Sequence, residues 1–429
     1  LDAPAPSLAR FLTRHTGGNA FYVGEYLRAA IASGLLWRDD DRGWKVQPVD
    51  VDGPVEYDKL DLPDSMQALV LARIERLPHN ARALVRAAAV LGREVPLDLL
   101  GPTSGLSEGV LLGGVATLLR EQVLTESTAA SLRFVHQKVR EVAYDNLEPE
   151  RRRELHRVAA LVLESDNATW ESRLGELGQH WEHAGELGRA HGVYLAGARV
   201  AVTRNSADEA EKLFRSSLRI TTTASARVGP LLELGSDVLW AYGRMEEAAE
   251  VLNEGIAAAR ETGDQHAEAI GLVWLGRTLH VQGDLDQAEA LSWQALGIAR
   301  ALGDVRTEGL ANAGLASLHH SRGDVTEALV LYAAAARLHR VAGDRRSLGE
   351  ALGNRALLLH EVQGNFDAAM PLYVEALAIH REVGNVRAEG LVLGNLAVAA
   401  MEEGHVEQVE SKAPGDRAKE QSGSDTRRQ

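Results

Sequence analysis

The chain has 429 residues, a formal net charge of −15 and no cysteine. That length allows two or three domains, and the acidic balance excludes a nonspecific grip on nucleic acid through the surface as a whole. Disulfides and thiolate metal sites are excluded, which fits a reducing, cytoplasmic setting, and no apolar run is long enough to span a membrane.

Aromatics are only 5% while hydrophobic residues reach 45%, so the core must be filled by small and aliphatic side chains. That favours a mainly α fold of closely packed helices. The chain opens at Leu1 in a mixed loop, as expected of a fragment with something upstream. Residues 7–36 predict a helix, a turn and a second helix; Gly17 and Gly18 break the first, and Asn19 caps the second. LLWRDDDRGWKV predicts a β-hairpin, with Trp37 and Trp44 flanking an acidic turn. Polar sequence from Gln47 to Leu60 predicts a linker. Helical pattern resumes at Leu62, and one helix is bracketed by Pro78 at its start and Gly92 at its end. VATLLREQVLTESTAASLRFVHQKVREVAYDNL then predicts a helix, a two-stranded wing and another helix. The expectation is a lid-like helical piece with hairpin and linker over 1–60, and a winged-helix-like domain over 61–160.

The strongest signal follows. Segments starting at Gly243, Gly283, Gly323 and Gly364 align without gaps, and a fifth begins at Gly404 and breaks off. A fixed period of about 40 residues is the mark of a solenoid, in which each unit buries its apolar face against its neighbours. Ala248, Ala288, Ala328 and Ala369 hold one column, where a small side chain lets two helices approach. Arg260, Arg300, Arg340 and Arg381 fall in the last turn of a helix, where a cation suits the dipole. Gly263, Gly303, Gly343 and Gly384 then end the helix in the left-handed region. Asp264, Asp304, Asp344 and Asn385 cap the next. The period alone fits a long tetratricopeptide unit or a HEAT or armadillo unit. The G-[DN]-x3-A-x3-[LY] pattern favours the tetratricopeptide repeat (TPR). Weaker units near Gly185 and Asn205 place the solenoid over 161–405. The tail over 406–429 loses the pattern and is expected to be disordered. It interrupts a repeat midway, which points to truncation there and to an apolar end that promotes association into a homo-oligomer.

TGGNAFYVGEYL, LPDSMQALVLARIERL, RAAAVLGREV and LRFVHQKVREVAYDNLEPERRRELHRVAA resemble the second half of the bacterial STAND-class signalling ATPases, found behind cyclase, kinase or LuxR-type domains. The resemblance runs over about residues 7–405 in the family's order of lid, winged helix and tetratricopeptides. It implies an upstream P-loop core, ATP or ADP bound in the full-length parent, and a protein or small-molecule inducer on the TPR groove. No Gly-Lys dipeptide occurs, so there is no phosphate loop, no cofactor is expected in this chain, and it is not itself an enzyme. The family usually has Pro after GGN; here Ala20 stands there.

By the same resemblance His136, with Gly17, Gly18 and Asn19, would sense the nucleotide; the plainer alternatives are a partly buried structural histidine and an ordinary interhelical turn. Arg151, Arg152 and Arg153 read as a solvated face paired with nearby glutamates. His180 and His183 are three apart on one helix face, but no third metal ligand has defined spacing, so packing is the expectation. Asn312, Asn354 and Asn395 lie on the first helices of successive repeats and either bond an extended partner or simply face solvent. Trp240, Trp274 and Trp293 are expected in the inter-helix core. The function expected is the sensing arm of a STAND-type regulator; the alternative is a stand-alone TPR scaffold.

Overall fold

The computed structural model describes residues 12–14, 16, 18–34, 36–38, 44–46, 66–128, 130–165 and 172–402. Gly17, the linker and the tail beyond residue 402 lie outside the described residues. The described chain is mainly α, and it divides into two compact units, Leu1–Val193 and Tyr194–Gln429. None of its helices is long and apolar enough to cross a membrane.

In the first unit α1 (Ala20–Ala32) leads to a hairpin of β1 (Leu36–Arg38) and β2 (Trp44–Val46). The strands run antiparallel with Trp37 opposite Lys45 and Arg38 opposite Trp44. Next come α2 (Met66–Glu75), α3 (His79–Leu91), β3 (Glu94–Pro96), α4 (Leu97–Ser104) and α5 (Glu108–Arg120). β4 (Leu124–Thr128), β5 (Ser131–Phe134), α6 (Gln137–Asp145), α7 (Pro149–Ser165) and α8 (Leu174–His183) follow. The predicted strand pair is β4–β5; β3 adds a third strand on the other side of β5, giving the order β3–β5–β4. The sequence hides β3 because it is three residues long and ends in Pro96. Alternation sorts β5: Leu132 and Phe134 point into the core while Arg133 is exposed.

One buried acid fixes α1. Glu25 is 2% exposed and accepts from Arg28 at 2.6 Å and from Arg73 of α2 at 2.5 Å. Arg73 also donates to the Glu121 carbonyl in the turn before β4. A carboxylate so placed is tolerable only with such partners; removing both arginines would strand its charge.

The second unit begins within α9 (Leu187–Thr203) and continues through α10 (Ala207–Ile220) and α11 (Ala224–Glu233). A π-helical turn, Leu234–Trp240, extends α11. The regular hairpins are α12 (Met245–Thr262) with α13 (Gln265–Gln282), and α14 (Leu285–Leu302) with α15 (Val305–Arg322). They continue with α16 (Val325–Ala342) and α17 (Arg345–Leu357), then α18 (Phe366–Glu382) and α19 (Val386–Glu402). Each helix packs on the next, and along one face α13 also touches α11 and α15. The alanine column is fully buried at Ala248, Ala288, Ala328 and Ala369.

The glycine-and-cap turns form as the sequence demands. Gly303 has φ 67°, and Asp304 then accepts the Thr307 amide at 3.1 Å. Asp264, Asp284, Asp344, Asn365 and Asn385 do the same. Asp324 is the departure: it makes no side-chain cap bond and faces His319 Nδ1 at 3.4 Å instead. The arginine column does more than meet a dipole. Arg260, Arg300 and Arg381 reach across the turn to Glu268, Glu308 and Glu389, at 2.7, 2.9 and 2.7 Å. Leu348 occupies the matching acid position after Arg340, which pairs with Glu375 at 2.7 Å instead.

The repeat ending at Gly364 carries one residue more than its neighbours. That extra residue lies between Gly343 and Gly364, where α17 opens into a second π-helical turn, Leu358–Val362. A π turn is how a helix absorbs a single insertion without losing register on either side.

Candidate functional site

The array opens a recess of about 200 Å³ on the face shared by α13, α15 and α17. Its wall includes Trp240, Arg277, His280, Ser317, Glu350 and Asn354. The π turn after α11 delivers Trp240 here, and α13 supplies Trp274 and Arg277 one turn apart. The two indoles meet edge to face with centroids 5.2 Å apart. The Arg277 guanidinium lies 5.0 Å from the Trp240 ring and 4.6 Å from the Trp274 ring, so both aromatics hold it. Burial lowers the Arg277 pKa, opposed by the more distant charge of Glu350. Tyr332 is buried, and burial raises its pKa, opposed by Ser317, Arg277 and Asn354. His280 shares a 2.7 Å bond with the Ser321 hydroxyl, and its pKa is lowered by burial and then by Arg277 and His320.

The expectation that Trp240, Trp274 and Trp293 are core side chains holds for Trp274, which packs part-buried against the hydrophobic core of the array. Trp240 is part-buried and lines the recess, and Trp293 is 48% exposed. Trp293 shares its repeat column with Asn253, an outer-face position. The three asparagines do not form one row either. Asn354 and Asn395 sit eleven residues after Gly343 and Gly384, but Asn312 sits nine after Gly303. Two residues turn a helix by about 200°. Asn312 is accordingly 3% exposed, its amide donating to the Glu308 carbonyl at 2.8 Å. Asn354 is exposed in the recess wall; Asn395 is half-buried on α19, outside it.

In the first unit, Gly18 takes φ 78° and its amide donates to the Thr16 hydroxyl at 3.2 Å. Asn19 caps α1, accepting the Phe21 amide at 3.0 Å and the Tyr22 amide at 3.4 Å. His136 stands exposed just before α6, and the Phe21 ring lies against it with centroids 4.0 Å apart. Phe21 thus links the two, meeting His136 through its ring and Asn19 through its backbone amide. Desolvation lowers the His136 pKa; Glu25 opposes it, while Arg28 and Arg73 add to it. Gly17 lies outside the described residues.

His180 and His183 join a third histidine that the sequence does not disclose. His156 of α7 bonds Nδ1 to Nδ1 with His180 at 2.9 Å, stacks on His183 at 4.7 Å, and meets the Tyr144 hydroxyl through Nε2 at 2.9 Å. The Tyr144 hydroxyl donates to His156 Nε2, and His156 Nδ1–H donates to His180. That leaves His180 Nε2–H facing Glu176 at 4.0 Å. The opposite direction would turn a bare nitrogen towards that carboxylate. Burial, then neighbouring histidine charge, pulls His156 down to about 3 and His180 to about 4. Neutral, interlocked rings with each other as partners are a packing device. Among the described residues no group of three or more side chains is arranged to hold a metal.

A tetratricopeptide-repeat family model matches residues 349–383. No curated protein matches the chain closely enough to count as a relative. Among solved structures, BtubC from P. vanneervenii is similar over 52% of this chain and 92% of its own, at 20% identity and a TM-score of 0.41. A STAND protein with a tetratricopeptide repeat sensor from Pyrococcus horikoshii is similar over 79% of this chain and 56% of its own, at 14% identity and a TM-score of 0.40. Aspartyl phosphate phosphatase F from Bacillus subtilis is similar over 70% of this chain and 83% of its own, at 11% identity and a TM-score of 0.41.

Proposed function

We propose that this chain is the sensing and regulatory arm of a STAND-type signalling ATPase, taking an inducer on the repeat face. The recess among α13, α15 and α17 carries this reading: it is a shaped, partly aromatic cavity on the repeat face. Asn19, Gly18 and His136 are the residues that would read the nucleotide state once a P-loop core is present. The Phe21–His136 contact supports that role by holding the two segments together. Without a Gly-Lys phosphate loop, hydrolysis belongs to a core outside this sequence. The domain roles proposed are a lid over 1–60, a winged-helix-like switch over 61–160 and a solenoid over 161–405. The oligomer and the cytoplasmic setting follow from the same reading.

The second reading, a stand-alone interaction scaffold, is favoured by the repeat match at 349–383. The two separate on one experiment. Gly314 lines the recess, and the nearest atom a Cβ there would meet is the Ser292 hydroxyl at 3.6 Å, so G314W fills the cavity without a backbone clash. A sensing arm transmits that filling: hydrogen exchange changes in Ala20–Ala32 and Gln137–Asp145. A scaffold leaves both segments unchanged. Calorimetry with ADP and ATP adds an independent check, since micromolar binding by this chain would contradict the absence of a nucleotide core.

A further inference from the structure

We propose that the recess is a carboxylate-binding site, built for an acid group carried next to an apolar or aromatic group, with Arg277 as the anion receptor. The inference rests on reading the repeat face as a sensing surface and names the chemistry that surface takes.

Arg277 is out of pattern. Arg260, Arg300, Arg322, Arg340, Arg345 and Arg381 of the same array each hold a carboxylate within 2.9 Å. Among the described residues Arg277 has no acid within ion-pair distance; its contacts are the two indole rings. Cation–π contact stabilises a guanidinium but does not neutralise it. A partly desolvated cation with no counter-ion is an anion site waiting to be completed. The two ring centroids are 5.2 Å apart, so both rings flank one side of the guanidinium, and a planar, bidentate acceptor suits the N–H groups they leave free.

A second observation points into the same cavity. The Trp240 Nε1 is buried without a hydrogen-bond partner, and so are both ring nitrogens of His339, which is 0% exposed. Both residues line the recess. Trp Nε1 is only ever a donor, so its missing partner is an acceptor. Guanidinium and indole N–H together describe an oxygen-bearing anion.

The charge inventory selects the anion. Glu350 also lines the recess, half-exposed and 3.8 Å from Arg346. His280 is kept neutral by burial and by Arg277 itself. With Glu350 paired to Arg346, Arg277 is left as one uncompensated positive charge, which suits a monoanion; a phosphate dianion would meet Glu350 without a further cation to balance it. Val281, Leu310 and Leu318 supply the apolar part of the wall, and a volume of about 200 Å³ admits one side chain or one small organic acid.

The probes are N-acetyl-phenylalanine and its primary amide, with a hexapeptide ending in phenylalanine as free acid or amide. Titration is followed by calorimetry and by the indole N–H signals of the full chain. The acids are expected to bind about tenfold or more tighter than the amides, the return of a charge-assisted bidentate pair. The Trp240 indole proton shifts downfield only with the acids. R277Q removes that preference; R277K, which keeps the charge but not the fork, retains part of it. E350Q tightens acid binding about threefold or more, because a like charge leaves the cavity. If the hexapeptide binds far tighter than the single residue, the natural acid is a chain terminus; if equally, it is a small metabolite. Equal binding of acid and amide, acid preference that survives in folded R277Q, or no binding of any acid overturns the assignment. Those results would leave the G314W exchange test untouched, and a silent G314W would sink the sensing role while leaving the acid site in place.

Discussion

The two units bury histidine in opposite ways. In the first, His156, His180 and His183 gather against Tyr144 and satisfy one another through a chain of hydrogen bonds. In the repeat array His339 and His380 are buried singly, each ring laid on a glycine of the preceding helix. A Cβ on Gly309 would lie 2.7 Å from the His339 ring, and one on Gly349 would lie 2.7 Å from His380. One repeat earlier, the matching positions are Ala299 and Ala269, both fully buried. The array has exchanged an alanine pair for a histidine–glycine pair at nearly constant volume, so that column is held by shape. The cluster is held by protonation state. Burial lowers the pKa of His339 and His380 as well, but less far than in the cluster, so the array should lose less to acid and more to an added methyl group; the hydrogen-bonded cluster should do the reverse.

Acid gives the largest separation. His156 and His180 have folded-state pKa values of about 3 and about 4, below the ordinary 6.5. The unfolded chain therefore binds more protons once pH drops under 6.5. The stability is fully present above that value and is lost progressively towards the folded pKa values. Arg140, Arg152, Arg173 and His183 deepen the cost of a charge there, and only Glu176 opposes it nearby. Two such groups cost about 4 kcal/mol between pH 6.5 and 5. Native-state hydrogen exchange should show protection in α7 and α8 collapsing over that range while α14 and α15 hold. A double His156→Gln, His180→Gln variant should flatten the difference; equal loss in both units would break the comparison.

Steric change should act the other way round. Gly309→Val sets side-chain carbons against a fully buried ring and should cost about 3 kcal/mol in the array, with no effect on α7 or α8. The sharper version is a cycle. Gly309→Ala alone crowds His339, His339→Ala alone leaves a cavity, and the pair together restores the alanine–alanine arrangement of the earlier repeat. The double variant should be more stable than the sum of its singles by about 1–2 kcal/mol in thermal or denaturant unfolding. Additive singles would mean the column is not packed as a unit.

These contrasts also show what a sequence makes legible. The helix ends are local: a glycine followed by Asp or Asn predicts both the left-handed turn and the cap; every such turn from Gly263 to Gly384 forms, and only the Asp324 side chain among them leaves its cap unmade. The 41-residue spacing before Gly364 is visible too, as an anomaly whose physical form, a π turn, needed the fold. The recess was not legible. Trp240, Arg277 and Glu350 come from three helices spread over more than a hundred residues, and each has an ordinary reading on its own helix. An aromatic at helical spacing reads as core, as Trp274 is, and only the fold shows Trp240 beside Arg277 in the recess wall. His156 was hidden for the same reason, lying 24 residues before the His180 it bonds. The shared type of Asn312, Asn354 and Asn395 misled because residue type repeats more readily than helix phase.

The caps offer a finer contrast inside the array. Asp304 accepts the Thr307 amide, whereas Asp324 caps nothing and leans towards His319. Asp304→Ala should cost about 1 kcal/mol, the usual return of an N-cap hydrogen bond. Asp324→Ala should cost well under half of that. Equal losses would show that the Asp324 side chain caps in solution after all.

The smallest effect tests whether the arginine column stabilises or merely repeats. Arg260 and Glu268 meet at 2.7 Å across a turn, but the Arg260 side chain is 51% exposed. An exposed pair gives up side-chain freedom and is screened by salt, so Arg260→Ala with Glu268→Ala in a cycle should give a coupling of only about 0.5 kcal/mol. That coupling should fall as salt is raised to about 1 M, where screening acts within about 3 Å. The natural control is Arg340, whose acid position is taken by Leu348 and which pairs with Glu375 instead. The hairpin holds its geometry there without the cross-turn pair. The pair therefore follows from helix ends that the glycine and cap have already set, and a coupling above about 1.5 kcal/mol would reverse that order of cause.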